Sequence, residues 1–308
     1  MKGLKIVSTG SCHPQNAVSN DKLSQTVDTS DEWISTRTGI RQRYFCESEK
    51  NVDLASNAAK QALERSGISA DEIGACVVAT FTPDNATPSV ACMVQKRLGL
   101  PNDALCFDMN AACSGFIYAL NVARGILMQG GRKYALVIGS EVISRVLDFN
   151  DRSTCVLFGD GAGAAVVTLS ENSVYEFTCG ANGDDAILCC PTSGGLQMDG
   201  REVFKFAVGI IPVCIDKLLD KSQLTLEDID YVVCHQANER IISHVVKKMK
   251  APSEKFFVNL QKYGNTSAAS IPLALDEMAS GGMLKEGMKI ICVGFGAGLT
   301  WGGIMLEW

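Results

Sequence analysis

The sequence has few histidines, no excess of positive charge and no long apolar run. Only 3 of its 308 residues are histidine, and 34 Asp and Glu outnumber 28 Lys and Arg, which gives a net charge of −6. This balance argues against a general nucleic-acid binder. No apolar run approaches the roughly 20 residues of a membrane-spanning helix. The apolar part of the opening segment "MKGLKIVSTGSC" is too short for a signal peptide, and the segment is expected to form a first strand.

Cysteine is abundant, but its pattern lacks the spacing of a metal or disulfide framework. None of the 13 cysteines forms a C-x-x-C pair. Cys76, Cys234 and Cys292 lie in apolar runs, where a thiol behaves as a small hydrophobic group. The neighbouring Cys189 and Cys190 are expected to serve packing. Reduced thiols in a cytoplasmic protein, without a metal, fit this pattern best.

The chain contains an internal repeat. "LERSGISADEIGACVVAT" from Leu63 matches "LDKSQLTLEDIDYVVCHQ" from Leu219 without a gap, and each reads as a helix end, a short loop and a buried strand. We therefore expect an α/β protein with two similar halves, residues 1–170 and 171–308. Apolar strands that alternate with helices predict parallel-rich sheets covered on both faces. A divergent inserted region is expected at about 175–205.

One cysteine lies at a predicted strand-to-helix junction. Cys113, in "DMNAACSGF", is flanked by small residues that let a substrate carbonyl approach its sulfur. At a helix N-terminus the partial positive charge and free N–H groups favour a thiolate. Ordinary packing is the alternative for a cysteine between alanine and glycine.

Two further residues occupy comparable junctions. His235 follows the apolar strand "YVVC" and precedes an amphipathic helix, and Asn265 lies in "YGNTSAAS", the loop that matches the Cys113 segment. Ligands of α/β sheets gather beyond the carboxyl ends of the strands, so the repeat would bring these loops to one site. Asn265 is by itself also a common helix N-cap. The glycine-rich segment 294–303 is expected to be a tight turn whose backbone N–H groups approach an oxyanion.

The sequence resembles the β-ketoacyl-[acyl-carrier-protein] synthase III family over essentially the whole chain. The resemblance is carried by the segments around Cys113, His235 and Asn265, by the glycine-rich segment 294–303, and by "TSDEWISTRTGIRQR" near the start. The resemblance implies the thiolase fold, with two duplicated α/β halves in a five-layered α-β-α-β-α sandwich, and a homodimer. "TPSVACMVQKRLG" is a candidate dimer contact. A cysteine protease, which also combines Cys, His and Asn, does not fit the duplication.

The family reaction would be a decarboxylative Claisen condensation. An acyl-CoA primer would load onto Cys113, and malonyl-[acyl-carrier-protein] would then lose CO2 and attack the thioester. The resemblance implies that His235 and Asn265 stabilise the enolate, and that the backbone N–H groups of Cys113 and Ala297 bind the tetrahedral oxyanion. No cofactor is expected, because the CoA thioester is a substrate.

The resemblance also implies contacts for the substrates. Trp33 and Arg152 would enclose the CoA adenine, since both present flat faces. The further expected CoA contacts are Thr29, Arg37, Phe204 and Asn238. Arg240, Lys247 and Lys248 would dock the acidic carrier protein.

Primer choice is expected to depend on the acyl pocket. Thr87 lies where some members of the family place a bulky aromatic that closes the partner's pocket, and Phe295 is expected to line the pocket. A small residue at position 87 favours a primer larger than acetyl, and the segment 189–206 is expected to help cover the pocket. A related condensing enzyme of secondary metabolism, with another starter or acceptor, would keep the same three catalytic residues. A non-catalytic scaffold would have lost them.

Overall fold

The computed structural model describes residues 2–171 and 173–308. The strands in this part of the chain are β1 (Gly3–Cys12), β2 (Ala17–Ser19), β3 (Gln42–Tyr44), β4 (Ile73–Ala79), β5 (Leu105–Met109), β6 (Tyr134–Glu141), β7 (Gly161–Ser170), β8 (Tyr175–Asp184), β9 (Leu188–Cys189), β10 (Gln197–Met198), β11 (Tyr231–Cys234), β12 (Lys289–Gly296) and β13 (Gly298–Glu307). The α-helices are α1 (Asn20–Leu23), α2 (Asp31–Thr38), α3 (Asn51–Ser66), α4 (Val90–Leu98), α5 (Gly115–Met128), α6 (Gly200–Ser222), α7 (Glu239–Met249), α8 (Leu260–Tyr263) and α9 (Ser270–Ser280). Short 3-10 turns, Ala112–Ser114 and Ser267–Ala269, lead into α5 and α9.

Two mixed sheets share one strand order. The first sheet runs β1-β7-β6-β4-β5, and the second, taken from its β8 edge, runs β8-β13-β12-β11. In both, the first two neighbouring pairs are antiparallel and the third is parallel. In the second sheet, a parallel bridge joins Val232 of β11 to Phe256, at the position that β5 occupies in the first sheet. The sequence repeat therefore corresponds to a repeated topology.

The expectation of parallel-rich sheets is wrong for part of each sheet. Parallel neighbours need a crossover connection, which is usually a helix, and α4 and α5 supply it between β4, β5 and β6. By contrast, β6 leads to β7 through a 3-10 turn and loops at residues 142–160, and β12 leads to β13 through Ala297 alone. Such connections return the chain in the opposite direction, so these pairs are antiparallel.

The expected insertion at about 175–205 is shorter than the sequence indicates. Its first ten residues form β8, which pairs with β13 at the edge of the second sheet, and its last residues begin α6. Only residues 185–199 lie outside these elements. They carry the small antiparallel pair of β9 and β10.

Helices cover both faces of each sheet. Helices α5 and α9 lie between the two sheets, α3 and α4 pack on the outer face of the first, and α6 and α7 pack on the outer face of the second. In β4, Ala75 and Val77 face the middle helices, whereas Cys76 and Val78 face α3 and α4. This alternation has the two-residue period of a strand. Because both faces are buried, β4 is apolar throughout.

The 3-10 turns lie close to the neighbouring strands. A Cβ atom on Gly139 in β6 would lie only 2.2 Å from the carbonyl oxygen of Ala268, so this approach needs a glycine. The turns Ala112–Ser114 and Ser267–Ala269 also contact each other. Among the residues described, no helix is long and apolar enough to cross a membrane.

Candidate active site

Cys113 lies in the turn that precedes α5, as the sequence predicts, and it is almost fully buried. The preceding residue, Ala112, has a φ of +44°, which is uncommon for a residue with a side chain. Gly296 of β12 packs directly against the cysteine, and a Cβ atom there would lie 3.1 Å from Sγ. The thiol is thus held between two backbone segments.

The two matching turns have the same local structure. The Asn110 Oδ1 atom accepts a hydrogen bond from Ala112 N–H at 3.1 Å, and the Asn265 Oδ1 atom accepts one from Ser267 N–H at 2.9 Å. Ser267 has a φ of +49°, close to that of Ala112. The duplication therefore extends to these turns, with Asn265 at the place of Asn110.

Burial dominates the ionisation of the Cys113 thiol. It raises the pKa of Cys113 to about 12, and the charge of Glu141 acts in the same direction, whereas Ser267 lowers it. Burial therefore opposes the thiolate that the helix N-terminus is expected to favour.

His235 follows β11 directly and is 2% exposed. Its backbone N–H donates to the Val293 carbonyl at 2.8 Å, and its Nδ1 atom lies 2.7 Å from the Ser270 hydroxyl. Burial lowers the pKa of His235 to about 3, so the imidazole is neutral at ordinary pH. A proton donated by Ser270 to Nδ1 places the ring hydrogen on Nε2.

Asn265 is fixed by its backbone and by its side-chain oxygen. Its N–H donates to the Leu157 carbonyl at 2.8 Å, and its own carbonyl accepts from Gly159 N–H at 3.0 Å. Because Oδ1 accepts from Ser267 N–H, the amide group Nδ2 remains as the donor of this side chain.

A narrow cavity of about 170 Å³ brings Cys113, His235 and Asn265 together. Phe204 and Asn238, two of the residues expected to contact CoA, line the same cavity. A thiol, a neutral imidazole and a carboxamide thus meet in one space, although Cys113 lies more than 100 positions before the other two residues. This space can hold a thioester against a nucleophile and two hydrogen-bond donors.

A wider cavity of about 530 Å³ also reaches Cys113. Ala297 lines it. Residues of β9 and of the loop between β9 and β10 also line it: Leu188, Cys189, Cys190, Pro191, Thr192, Gly194 and Leu196. Neither Thr87 nor Phe295 is among its lining residues. Thr87 is exposed before α4, and Phe295 lines the narrow cavity with its ring 5.2 Å from that of His235.

The position of Phe295 follows from strand geometry. Phe295, Val293 and Ile291 alternate along β12 and pack on the outer face of the second sheet, in the α6 and α7 core. The two-residue period of the strand thus directs the ring away from the wide cavity.

Trp33 in α2 is accompanied by two arginines. The Cζ atom of Arg37 lies 4.6 Å from the Trp33 ring centre, and that of Arg152 lies 5.1 Å from it. The Arg152 guanidinium also donates to the Asp28 carbonyl at 3.1 Å. Together these residues form a surface on which two guanidinium groups lie over the Trp33 ring in cation–π contact.

Thr29 and Asn238 lie near this surface. Thr29 Oγ1 is buried and has no hydrogen-bond partner among the described residues. Asn238 caps α7 by accepting from Arg240 N–H at 2.8 Å, and it donates to the Arg37 carbonyl at 3.1 Å. Asn238 therefore ties α7 to α2.

Of the residues expected to dock the carrier protein, two share a surface cavity. Arg240 and Lys247 line a space of about 430 Å³ together with Phe204. Glu239 also lines it, so the charge there is not uniformly positive. Lys248 instead donates to the Val208 carbonyl at 3.2 Å and lies against α6.

Three residues of the site are absent from the sequence prediction. They are Glu141, Ser267 and Ser270. Glu141 ends the buried strand β6, so an acidic residue at the carboxyl end of an apolar strand was a usable signal. Ser267 and Ser270 lie in a run of small residues, whose contacts depend on tertiary structure.

Comparison with known proteins identifies relatives over the full length of the chain. Sequence profiles described as "3-Oxoacyl-[acyl-carrier-protein (ACP)] synthase III" and as its C-terminal region match residues 107–183 and 219–308. The β-ketoacyl-[acyl-carrier-protein] synthase III of Clostridium acetobutylicum is 49% identical, with 100% of this chain and 99% of that protein covered.

Solved structures agree with the sequence comparison. The crystal structure of 3-oxoacyl-[acyl-carrier-protein] synthase III from Aquifex aeolicus superposes with a TM-score of 0.96 at 45% identity, covering 99% of this chain and 100% of that one. The enzyme from Pseudomonas aeruginosa gives 0.94 at 39% identity, with 99% and 98% covered.

The fold and the relatives define an acyltransferase of the condensing class on the thiolase fold. The chain belongs to the β-ketoacyl-[acyl-carrier-protein] synthase III family. The family resemblance and the predicted thiolase fold are confirmed.

Proposed function

We propose that the enzyme joins an acyl-CoA primer to malonyl-[acyl-carrier-protein], the condensation that begins fatty-acid synthesis. The products are a 3-oxoacyl-[acyl-carrier-protein], CoA and CO2. The observation that carries this proposal is the narrow cavity that Cys113, His235 and Asn265 line together. The wider cavity beside the same sulfur offers a place for the acyl chain.

In the first half-reaction the Cys113 sulfur attacks the thioester carbonyl of acyl-CoA. The carbonyl oxygen becomes negative in the tetrahedral intermediate and is stabilised by the backbone N–H groups of Cys113 and Ala297. The close packing of Gly296 on Cys113 supports this pairing, because it brings the β12–β13 turn next to the sulfur. Loss of CoA thiolate then leaves the acyl group on Cys113.

In the second half-reaction the malonyl thioester loses CO2. His235 Nε2–H and Asn265 Nδ2–H donate to the thioester oxygen, which becomes negative as the carboxylate leaves. One such donor in an enclosed site is typically worth about 3 to 4 kcal/mol. The resulting carbanion attacks the acyl-cysteine carbonyl, a C–C bond forms, and the Cys113 thiolate departs and takes up a proton.

A neutral imidazole suits this second step. Burial holds the pKa of His235 at about 3, so its Nε2–H is present throughout the neutral range. The donor therefore needs no proton transfer before it stabilises the enolate. A protonated His235 would lose its hydrogen bond from Ser270, since Nδ1 would itself become a donor.

The substrates would enter from the α2 and α7 side. Trp33, Arg37 and Arg152 would bind the CoA adenine, Thr29 Oγ1 offers it a buried polar group, and Phe204 and Asn238 line the path to Cys113. Arg240 and Lys247 would attract the acidic carrier protein, together with Lys248 on the same helix. Such charges act mainly on the encounter rate.

We further propose a cytoplasmic homodimer that needs no cofactor. Strand β5 is an edge strand of the first sheet, and Leu105 at its start is 51% exposed, which supports pairing with a second copy. The segment 87–99, which includes α4, lies beside β5 and supports the same surface. Within the chain, residues 1–170 and 171–308 would be the two halves.

The proposal is tested by reconstituting the reaction with acyl-CoA and malonyl-[acyl-carrier-protein] and following CO2 and 3-oxoacyl product separately. The wild type should release both. Cys113→Ala should release CO2 without condensed product, because only the acyl acceptor is lost. Condensation by Cys113→Ala would contradict the mechanism. Condensation only with a different acceptor would assign the enzyme to a specialised pathway instead.

A further inference from the structure

Glu141 is a buried carboxyl group with no role in the mechanism described so far. It ends β6 and is 0% exposed. Its oxygens accept hydrogen bonds from Thr82 Oγ1 at 2.5 Å, from Thr80 Oγ1 at 3.1 Å, and from the Phe81 and Thr82 N–H groups at 3.2 Å. These partners are neutral donors, and such a set stabilises a carboxylate without neutralising its charge.

Ser267 lies between this carboxyl group and the nucleophile. The turn Ser267–Ala269 contacts both the Cys113 turn and β6, which ends at Glu141, and Ser267 lines the wide cavity together with Cys113. Its side chain lowers the pKa of both the thiol and the carboxyl group. Its Oγ atom is buried yet makes no hydrogen bond of ordinary geometry with any described residue. A buried hydroxyl without a fixed partner, between a thiol and a carboxylate, is suited to pass a proton between them.

We propose that Glu141, acting through the Ser267 hydroxyl, accepts the Cys113 proton during acyl transfer from CoA. This inference rests on the proposed function. It assigns the base that the first half-reaction needs to two residues of this chain, and it leaves His235 and Asn265 to the second half-reaction.

The step balances in protons and bonds. The Cys113 S–H bond breaks as sulfur attacks the acyl carbon, its proton passes to Ser267 Oγ, and the Ser267 hydroxyl proton passes to the Glu141 carboxylate. The C–S bond to CoA then breaks, and the CoA thiolate takes the proton back along the same route. Glu141 and Ser267 return to their starting states, and CoA leaves as the thiol.

The ionisation of the neighbouring groups supports this assignment. Burial raises the pKa of Glu141 to about 8, whereas burial lowers that of His235 to about 3. The ionised form of Glu141 is therefore the stronger base of the two, and it becomes populated as the pH rises through about 8. The Nδ1 atom of His235 is in addition engaged with Ser270.

Few other titratable groups face Glu141. The thiols of Cys113 and Cys190 lie within reach of its charge. Arg145 lines the wide cavity and forms an ion pair with Asp84, with 2.8 Å between Nη1 and Oδ1. This pair is internally neutral, so the thiols are the groups whose protonation couples to Glu141.

The test compares the two half-reactions in Glu141→Gln and Ser267→Ala. Formation of the acyl adduct on Cys113 is followed by rapid-quench mass spectrometry with the primer that the wild type accepts best. Decarboxylation of malonyl-[acyl-carrier-protein] is measured for each variant in the Cys113→Ala background. Ser267→Ala keeps the backbone N–H that holds Asn265, so it removes only the hydroxyl.

Asp160→Asn is the matched control. Asp160 is also fully buried and accepts from Ser144 and from Cys46 N–H, but unlike Glu141 it has no interaction with Ser267 that affects its pKa. It reports what the loss of a buried carboxylate does to the fold alone. It should lower thermal stability without changing the ratio of acyl transfer to decarboxylation.

The expected result is a loss of about 100-fold in acyl transfer relative to decarboxylation in both site variants. The wild-type acyl-transfer rate should rise as pH increases through about 8, and this rise should vanish in Glu141→Gln. If both site variants acylate at the wild-type rate with the wild-type pH profile, the inference is wrong. An equal loss of both half-reactions would also overturn it, because it would indicate a structural role.

Two outcomes separate the inference from the proposed function. A wild type that forms no acyl adduct contradicts the proposed function itself. If Glu141→Gln does not fold, Ser267→Ala decides, since it leaves intact the hydrogen bonds that Glu141 accepts from Thr80, Phe81 and Thr82. Unchanged acyl transfer in that variant would then exclude the route through Ser267.

Discussion

The imidazole of His235 is held by the hydroxyl of Ser270, with 2.7 Å between Nδ1 and Oγ. His235 comes from the end of β11 and Ser270 from the first position of α9. The contact thus joins the end of β11, in the second sheet, to α9, which lies between the two sheets. It restrains the ring orientation, and a Ser270 hydroxyl proton donated to Nδ1 would place the ring hydrogen on Nε2.

Ser270→Ala should therefore weaken the enolate step. Loss of this hydrogen bond leaves Nδ1 without its donor and frees the ring to rotate, so decarboxylation should fall about ten-fold. The measurement is CO2 release from malonyl-[acyl-carrier-protein]. Ser280→Ala, at the exposed end of the same helix, is the control and should behave as wild type. Equal rates for the two variants would show that Ser270 does not orient His235.

The buried His235 should also affect the acid stability of the fold. The pKa of His235 in the folded protein is about 3, below the usual value of about 6.5. Below pH 6.5 the unfolded chain binds a proton that the folded chain excludes, so stability falls with decreasing pH until about pH 3. The slope from this group is about 1.4 kcal/mol per pH unit.

Urea unfolding between pH 4 and 7 measures this effect, with His235→Gln as the comparison. The wild type should lose stability more steeply on acidification than the variant. In the same range the ring resonances of His235 in nuclear magnetic resonance spectra should stay constant. A His235 resonance that titrates near pH 6.5 would contradict the neutral donor.

Gly296→Ala tests the packing of β12 on the nucleophile. A Cβ atom at this position would lie 2.9 Å from the Cys113 Cβ atom, so one of the two segments must shift. The substitution should cost about 1 to 3 kcal/mol of stability. It should also slow acyl transfer at least about ten-fold, because it displaces the sulfur.

Gly125→Ala provides the control for Gly296→Ala. Gly125 lies in α5, and a Cβ atom there meets nothing within 4 Å. This substitution should leave acyl transfer unchanged and stabilise the helix slightly. Thermal melting and adduct formation are measured for both variants. Equal behaviour would mean that Gly296 does not set the position of Cys113.

Trp33→Ala tests the surface assigned to the CoA adenine. Loss of the ring removes the stacking face beside Arg152, so KM for acyl-CoA should rise about ten-fold. The same acyl group on N-acetylcysteamine lacks the adenine, and its KM should not change. A similar rise in KM with both thioesters would indicate that Trp33 stabilises α2 and does not bind the adenine.

The sequence was sufficient to predict the site residues that lie in loops at the carboxyl ends of strands. The repeat located matching loops, and the rule that ligands bind at the carboxyl ends of strands selected Cys113, His235 and Asn265. The structure places these three on one cavity. The family and the thiolase fold, inferred from motifs, are confirmed by relatives over the whole chain.

The remainder depended on contacts that no local pattern encodes. The antiparallel returns of β7 and β13 follow from the absence of a crossover helix, which the apolar runs do not reveal. The burial that raises the pKa of Cys113 arises from tertiary packing, such as that of Gly296 against the cysteine. Ser267 and Ser270 acquire their positions only when α9 packs between the sheets.

The central claim is that Cys113 carries the acyl group, and intact-protein mass spectrometry tests it most directly. Wild type and Cys113→Ala are incubated with a panel of acyl-CoAs that differ in chain length and branching. The account predicts one acyl adduct on the wild type, absent from the variant, whose mass identifies the preferred primer. An adduct that persists in Cys113→Ala, or no adduct with any acyl-CoA, would contradict it.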